Sequence, residues 1–348
     1  MEITWYIIVS LMLVIYVLLD GFDFGVGIIY LFVAKNDAER RTVLSAIGPV
    51  WDGNEVWLIA GGGTLFFAFP AVYSAGFSGF YLALIMVLWL LMLRGLSMEL
   101  RSHIKNSLWR TFWDSTLAFA SVLLAIVLGA ALGNVIRGIP LNGDGYFFVP
   151  FWTDFKTGVH PGILDWYTLT VGLFALALLT VHGANFLALK TEKEIQSRAR
   201  QISKRLYWLV AVFAILSTFL TPFVRPEMLQ NFNRFPLGYL LPVFSLAALF
   251  GMFYYRARNH DAGAFIASSV FIVGLLASAV FTIFPNLLVA TTGASNSLTV
   301  YNASASHYGL SVGLIWFPVG ITLAATYTFY MYRSFWGKVT LSQDVEGY

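Results

Sequence analysis

Four carboxylates stand where an apolar chain tolerates few. Asp20 and Asp23 lie three residues apart in the first apolar run, and Asp52 and Glu55 lie three apart in the second. That spacing puts both members of a pair on one face of a helix. An ionised carboxylate at the centre of a membrane span costs about 2.5–3.5 kcal/mol on insertion scales, so both faces are expected to point inward. Counting about 1.5 Å per residue from polar ends near residues 33 and 43 places Asp23 and Asp52 roughly 14–15 Å deep, and Asp20 with Glu55 roughly 18–20 Å deep. Two antiparallel helices would then carry two tiers of facing carboxylates. Burial and like charge both favour the neutral acid, so at least one member is expected to be protonated near neutral pH. Carboxyl groups that take up and release protons in turn, reaching inward from one membrane face, form the pattern of a proton path. A structural role competes: the same tiers would bolt two helices together through shared protons, water or an arginine. Asp52, between Trp51 and Gly53-Asn54, is the residue to separate first, because the missing side chain beside it can admit water.

Other chemistry is thinly represented. There is no cysteine, which excludes disulfides, thiolate metal sites and a cysteine nucleophile. His103 and His260 fall in basic segments and His160 and His307 near the opposite surface, leaving His182 alone within a span. A single intramembrane histidine is more often a packed, hydrogen-bonded residue, here with Asn185 as a partner three positions on, than a haem ligand. No haem held by this chain alone is therefore expected, and no metal site. Gly61-Gly62-Gly63 sits inside an apolar run without the context of a phosphate-binding loop.

The elements that must position the carboxylates follow from composition. Of 348 residues, 58% are hydrophobic and 11% charged, and the mean hydropathy is +0.74. That is too apolar for a water-soluble domain and points to an all-α, polytopic membrane protein. A net charge of +3 gives no footprint for nucleic acid. Spans of sufficient length fall at about 3–33, 43–69, 77–98, 112–136, 164–189, 206–222, 238–255, 263–288 and 308–333, nine in all. Of 21 Lys and Arg, 17 lie in the alternate connecting segments that share one side, Arg94 among them. The positive-inside rule then puts the N-terminus outside and the C-terminus in the cytoplasm. The first span is not expected to be a cleaved signal peptide, because no basic leader or small-residue cleavage pattern accompanies it.

Spacing suggests two four-helix bundles with a ninth helix added: 1–136 as the first bundle, 137–163 as an outer loop, 164–288 as the second bundle, and 289–348 as the ninth helix with a cytoplasmic tail. Gly21 with Gly25, and Gly129 with Gly133, suit close helix contact. Trp5, Tyr6, Trp109, Trp113, Trp166 and Trp208 near span ends suit interfacial anchoring.

The run Asp20-Gly21-Phe22-Asp23-Phe24-Gly25-Val26-Gly27, then Asn36-Asp37-Ala38-Glu39-Arg40-Arg41, then Trp51-Asp52-Gly53-Asn54-Glu55-Val56-Trp57-Leu58, resembles subunit II of the cytochrome bd-type quinol oxidases. Phe77 to Tyr81, Arg94-Gly95 with Glu99 and Arg101, Trp109, Trp113-Asp114, Gly129 to Asn134, His182-Gly183-Ala184 and Asn302-Ala303-Ser304 extend the likeness along nearly the whole chain. The resemblance implies a bacterial respiratory enzyme of the inner (cytoplasmic) membrane that oxidises quinol and reduces dioxygen to water with cytoplasmic protons. It implies a heterodimer in which subunit I carries haems b and d and the quinol site, while subunit II is haem-free. It maps the family's cytoplasmic proton route onto Asp52, with Asp20 nearby, and a dioxygen access point onto Trp57. Some members have Gln where Glu55 stands. Some carry a structural quinone in subunit II, and small single-helix accessory subunits join some complexes.

Two other classes compete. A proton-coupled secondary transporter also uses intramembrane carboxylates and glycine-rich spans, but usually has broken helices in both halves, whereas these carboxylates cluster in one. A purely structural membrane scaffold predicts that Asp20 and Asp52 can be neutralised without consequence.

Overall fold

The computed structural model describes residues 1–339. Apolar sequence with no water to satisfy its backbone must close its hydrogen bonds internally, and helices dominate accordingly. The helices are α1 (Glu2–Val33), α2 (Asp37–Ile47), α3 (Trp51–Ala68), α4 (Pro70–Gly79), α5 (Tyr81–Leu100), α6 (Ser107–Arg137), α7 (Trp166–Lys190), α8 (Lys193–Val224), α9 (Gln230–Arg234), α10 (Leu240–Ala257), α11 (Asp261–Ile283) and α12 (His307–Ser334). A two-stranded antiparallel ribbon pairs β1 (Asn286–Leu288) with β2 (Leu298–Thr299). Among the described residues, eight helices are long and apolar enough to cross a membrane, and the chain is a polytopic helical membrane protein.

The second apolar run differs from its sequence reading. Instead of one helix over 43–69, the chain forms the short helix α2, a turn at Gly48-Pro49-Val50, and a new helix from Trp51. Pro49 has no N–H to continue α2, so the ladder ends there. The start of α2 is separately specified: the Asn36 side chain accepts from the Glu39 N–H at 2.9 Å, and the Glu39 carboxylate accepts from the Lys35 N–H at 2.6 Å. Pro70 then opens α4 at a second break. Asp52 therefore lies in the first turn of α3, not far along a continuous span.

Two ends can be told apart by their contacts. At one, the N-terminus of α1 meets the end of α11 and the start of α12: Trp5 Nε1 donates to the Leu310 carbonyl at 3.2 Å and the Tyr6 hydroxyl to the Val280 carbonyl at 2.7 Å. Phe69, Ile139, Phe147, Leu288 and Val300 complete that cap. At the other, basic end, Arg198 donates to the Val33 carbonyl at 2.7 Å and the Val339 N–H to the Lys190 carbonyl at 2.7 Å. Between the ends, α1 packs against α3, α6, α7 and α11, and one core runs through Tyr16, Trp57, Leu90, Leu124, Leu178 and Phe271.

Glycines set the closest approach. A Cβ on Gly25 would meet the Leu179 carbonyl and lie 2.7 Å from the Gly183 nitrogen, and a Cβ on Gly129 would lie 2.5 Å from that of Ala175. These contacts draw α1 and α6 onto the backbone of α7. The tryptophans divide. Trp208 is exposed, as an interfacial anchor should be, but Trp5 and Trp113 are buried within the chain, because the cap and the polar basic end fold over them.

Candidate proton-transfer site

The carboxylates converge, with one arginine among them. Arg94, on α5, is 1% exposed. Its Nη1 donates to Asp20 Oδ1 at 2.5 Å and its Nη2 to Glu55 Oε2 at 3.2 Å. The guanidinium carbon lies 4.5 Å from the centroid of the buried Phe24 ring, within cation–π range. By its place near the end of an apolar run, Arg94 counts among the cytoplasmic loop charges. In the structure α5 continues six residues past it, to Leu100, and the side chain turns inward to the acids. Arg94 thus leaves the set of orienting loop charges.

Asp23 has a different partner. Asn54 Nδ2 donates to Asp23 Oδ2 at 2.7 Å, and Asp20, Asp23 and Asn54 are all buried. The tier expected to pair Asp23 with Asp52 is not formed, because α3 turns Asn54, Trp57 and Gly61 toward α1, while Asp52, Val56 and Ile59 lie on its exposed face. Asp52 instead stands at the surface of the basic end, one turn from the partly exposed Glu55. Asp20 Oδ2, Asp23 Oδ1, Arg94 Nε and the Tyr16 hydroxyl are buried with no hydrogen-bond partner among the described residues. Unpaired polar atoms grouped in this way are the lining that ordered water satisfies.

Trp57 is buried beside this group and faces an apolar groove of about 440 Å³ between α1, α3 and α12, lined by Met12, Ala60, Phe317, Ile321 and Ala324. His182 lies elsewhere. Its Nδ1 is 2.8 Å from Ser268 Oγ and its Nε2 3.1 Å from the Leu18 carbonyl, with the ring stacked on Phe265. Asn185 is not its partner, because α1 and α11 supply both contacts; Asn185 accepts instead from Ser203 at 2.7 Å and Arg256 at 3.2 Å. With both ring nitrogens engaged, His182 offers no free axial ligand to a haem.

A second polar network, missed in the sequence reading, centres on Asp114 at the basic end. It accepts from Arg101, Arg40 and the Tyr30 hydroxyl, each at 2.6 Å, and so ties α1, α2 and α6 to the residue that caps the end of α5. The signal was available: Trp113-Asp114 opens a span beside a cluster of arginines. Asp37 and Glu39 of α2 join this end to Arg101 at 2.8 Å and Arg198 at 2.7 Å. Burial alone would raise Asp37, but the Arg101 hydrogen bond and the charges of Arg101, Arg110 and Arg41 outweigh it and hold the carboxyl below its usual range. Glu39 is held low in the same way, its burial outweighed by Arg198 and Lys35.

The sequence profile described as cytochrome bd terminal oxidase subunit II matches residues 1–335. The chain belongs to that family. It is therefore a subunit of a membrane-bound respiratory terminal oxidase, an oxidoreductase complex that pairs subunit II with a partner subunit. Among curated proteins, subunit II of the cytochrome bd-I ubiquinol oxidase of Escherichia coli K12 is 30% identical, with 98% of this chain and 96% of that protein covered. Subunit 2 of the cytochrome bd ubiquinol oxidase of Bacillus subtilis is 32% identical, over 93% of this chain and 94% of that protein. A probable cytochrome oxidase subunit 2 of Haemophilus influenzae is 30% identical, over 96% and 94%. A chain of the bd oxidase of Geobacillus thermodenitrificans shares the fold, with a TM-score of 0.76 at 18% identity, covering 96% of this chain and 98% of that one. Membership in the subunit II family leaves the transporter reading without support.

Proposed function

We propose that this chain is the haem-free subunit II of a quinol:dioxygen oxidoreductase of the bacterial inner membrane. It would hold the haem-bearing subunit I in a heterodimer and supply part of the cytoplasmic proton path. In this reading nine helices cross the membrane, α3 joining the eight long apolar ones, and the basic end faces the cytoplasm with the N-terminus outside. The chain divides into two four-helix bundles, 1–136 and 164–288, with the outer loop 137–163 between them and the ninth helix and tail at 289–348. Haems b and d belong to subunit I, and the engaged nitrogens of His182 support that assignment.

One observation carries the proton path: Asp20 and Glu55 hold one buried guanidinium, Asp23 is buried one turn from Asp20 on the same helix, and Asp52 stands exposed one turn from Glu55 at the basic end. A single cation cannot balance two buried carboxylates and the partly exposed Glu55, so the cluster reaches neutrality by taking up protons. Asp52 collects a proton at the surface, Glu55 passes it inward, and Asp20 and Asp23 hold it beside the unpaired polar atoms where water can bridge. Reduction of dioxygen to water in subunit I consumes these protons; quinol supplies the electrons. Trp57 and its apolar groove form the dioxygen access route, since a small apolar gas partitions into an apolar lining. No residue is assigned to a structural quinone or to an accessory subunit.

The purified complex tests the path. Asp52→Asn should leave the haem spectrum intact while lowering quinol-driven oxygen consumption by at least about tenfold, the lower range for losing a positioned proton carrier. An assembled Asp52→Asn complex with full turnover and full proton uptake would remove Asp52 from the route.

A further inference from the structure

Asn54 joins side chains from two other helices. Its Nδ2 donates to Asp23 Oδ2 at 2.7 Å and approaches the Leu19 carbonyl at 3.4 Å, while its Oδ1 accepts from the Tyr332 hydroxyl at 2.7 Å. These contacts admit one orientation of the amide. The Leu19 carbonyl can only accept but is distant at 3.4 Å, so it favours a nitrogen facing α1, and the Tyr332 donor at 2.7 Å fixes the oxygen toward α12. Turning the amide over would set Oδ1 against the Leu19 carbonyl and make the Tyr332 oxygen accept from the NH₂ group, taking the acceptor away from the Tyr332 hydrogen. The Tyr332 donor opposes that reversal.

Asp23 is consequently held through Oδ2 by a neutral donor, while its Oδ1 is buried with no partner among the described residues. The ionisable groups facing it are Asp20 on its own helix, Glu55 on α3, Arg94 on α5 and Tyr332 on α12. The guanidinium bonds to Asp20 and Glu55, leaving Asp23 as the carboxyl without a cation of its own. We propose that Tyr332 is a positioning residue for proton transfer at Asp23: by fixing the Asn54 amide with its nitrogen on Oδ2, it leaves Oδ1 as the oxygen that takes up and releases the proton. A side-chain amide does not hand protons along, so the line Tyr332, Asn54, Asp23 orients the acid and does not conduct. It also ties α12, the last helix, to the carboxylate group on the first. This inference rests on the reading of the carboxylates as a proton path.

The test uses the intact oxidase complex. Tyr332→Phe keeps the ring and deletes the donor, freeing the Asn54 amide to turn its oxygen toward Asp23, where it accepts from the neutral acid. The complex should assemble with an unchanged haem spectrum. The alkaline limb of its turnover-against-pH profile should move up by on the order of one pH unit, and turnover near neutrality should fall severalfold as proton release slows. In infrared difference spectra, the carboxyl band that Asp23→Asn abolishes should shift in Tyr332→Phe. Tyr330→Phe, on the exposed face of α12, should move neither. Asn54→Leu, which leaves no amide to orient, should reproduce the profile shift, and Tyr332→Phe on that background should add nothing. An additive further shift, or an unmoved profile and band in Tyr332→Phe beside an impaired Asp23→Asn, would overturn the positioning role and leave the proton path standing. Full turnover in Asp23→Asn would instead remove Asp23 from the path, and this inference with it.

Discussion

Arg94 donates to Asp20 at 2.5 Å from a position where both side chains are almost completely buried, joining α5 to α1 through the middle of the helical core. The pair is neither a surface ion pair nor a lone buried charge. Its energetic role follows from what remains when one partner goes.

Replacing Arg94 by Met keeps the volume but leaves Asp20 and Glu55 without their cation. Breaking a buried pair in this way costs about 3–5 kcal/mol. The expected outcome is loss of most of the assembled, haem-bearing complex, read from the visible spectrum of purified membranes and from thermal melting. Arg94→Lys should recover only part of it, because an ammonium cannot span Asp20 and Glu55 as the two guanidinium nitrogens do. A melting temperature unchanged in Arg94→Met would show that the acids are already neutral and that the arginine is dispensable.

Acid should loosen α2 before it reaches the core. Asp37 and Glu39 have carboxyls held below their ordinary values by Arg101 and Arg198, among others. A carboxyl lowered on folding contributes stability that is present above its unfolded value, about 4, and is lost as pH falls through its folded value. Hydrogen exchange in residues 37–47 should therefore speed up on acidification below about pH 4, and Asp37→Asn should show that faster exchange already at neutral pH. Exchange in α2 that is flat across this range would contradict the assignment.

Gly25 and Gly62 make a paired test of packing. Gly25→Ala drives a methyl into the α7 backbone at Leu179 and Gly183 and should destabilise by about 1–3 kcal/mol. Gly62 has open space where a Cβ would project, so Gly62→Ala should be neutral or stabilise by up to about 1 kcal/mol through higher helix propensity. Melting of the detergent-solubilised complex reads both. Equal effects would mean that the α1–α7 contact relaxes freely.

Trp57 separates gas access from proton delivery. Trp57→Phe changes the wall of the apolar groove without touching a carboxylate, so the KM for dioxygen should change while the pH profile stays in place. A moved pH profile with an unchanged KM would place Trp57 in the proton path instead.

Much of this was legible in the order of residues. Hydropathy runs and the distribution of Lys and Arg locate the helices, and the rarity of acids in such runs singles out Asp20, Asp23, Asp52 and Glu55. The motifs around them carry the family. The close glycines were readable too, since small residues four apart have a packing use that does not depend on the partner.

What the sequence could not contain is which faces meet. Periodicity says that Asp52 and Glu55 lie near one another on a helix, but the Pro49 break sets where α3 begins and how it rotates, and that rotation puts Asn54 against Asp23 and Asp52 at the surface. Arg94 was visible as a charge and hidden as a partner, because it lies 74 positions from Asp20 and only the packing of α5 on the bundle brings the two together. Tyr332 lies 278 positions from Asn54 for the same reason. Composition determines that a residue is costly to bury; only the folded chain decides what it is buried against, because hydrogen bonds and ion pairs form over about 3 Å regardless of the length of chain between their ends.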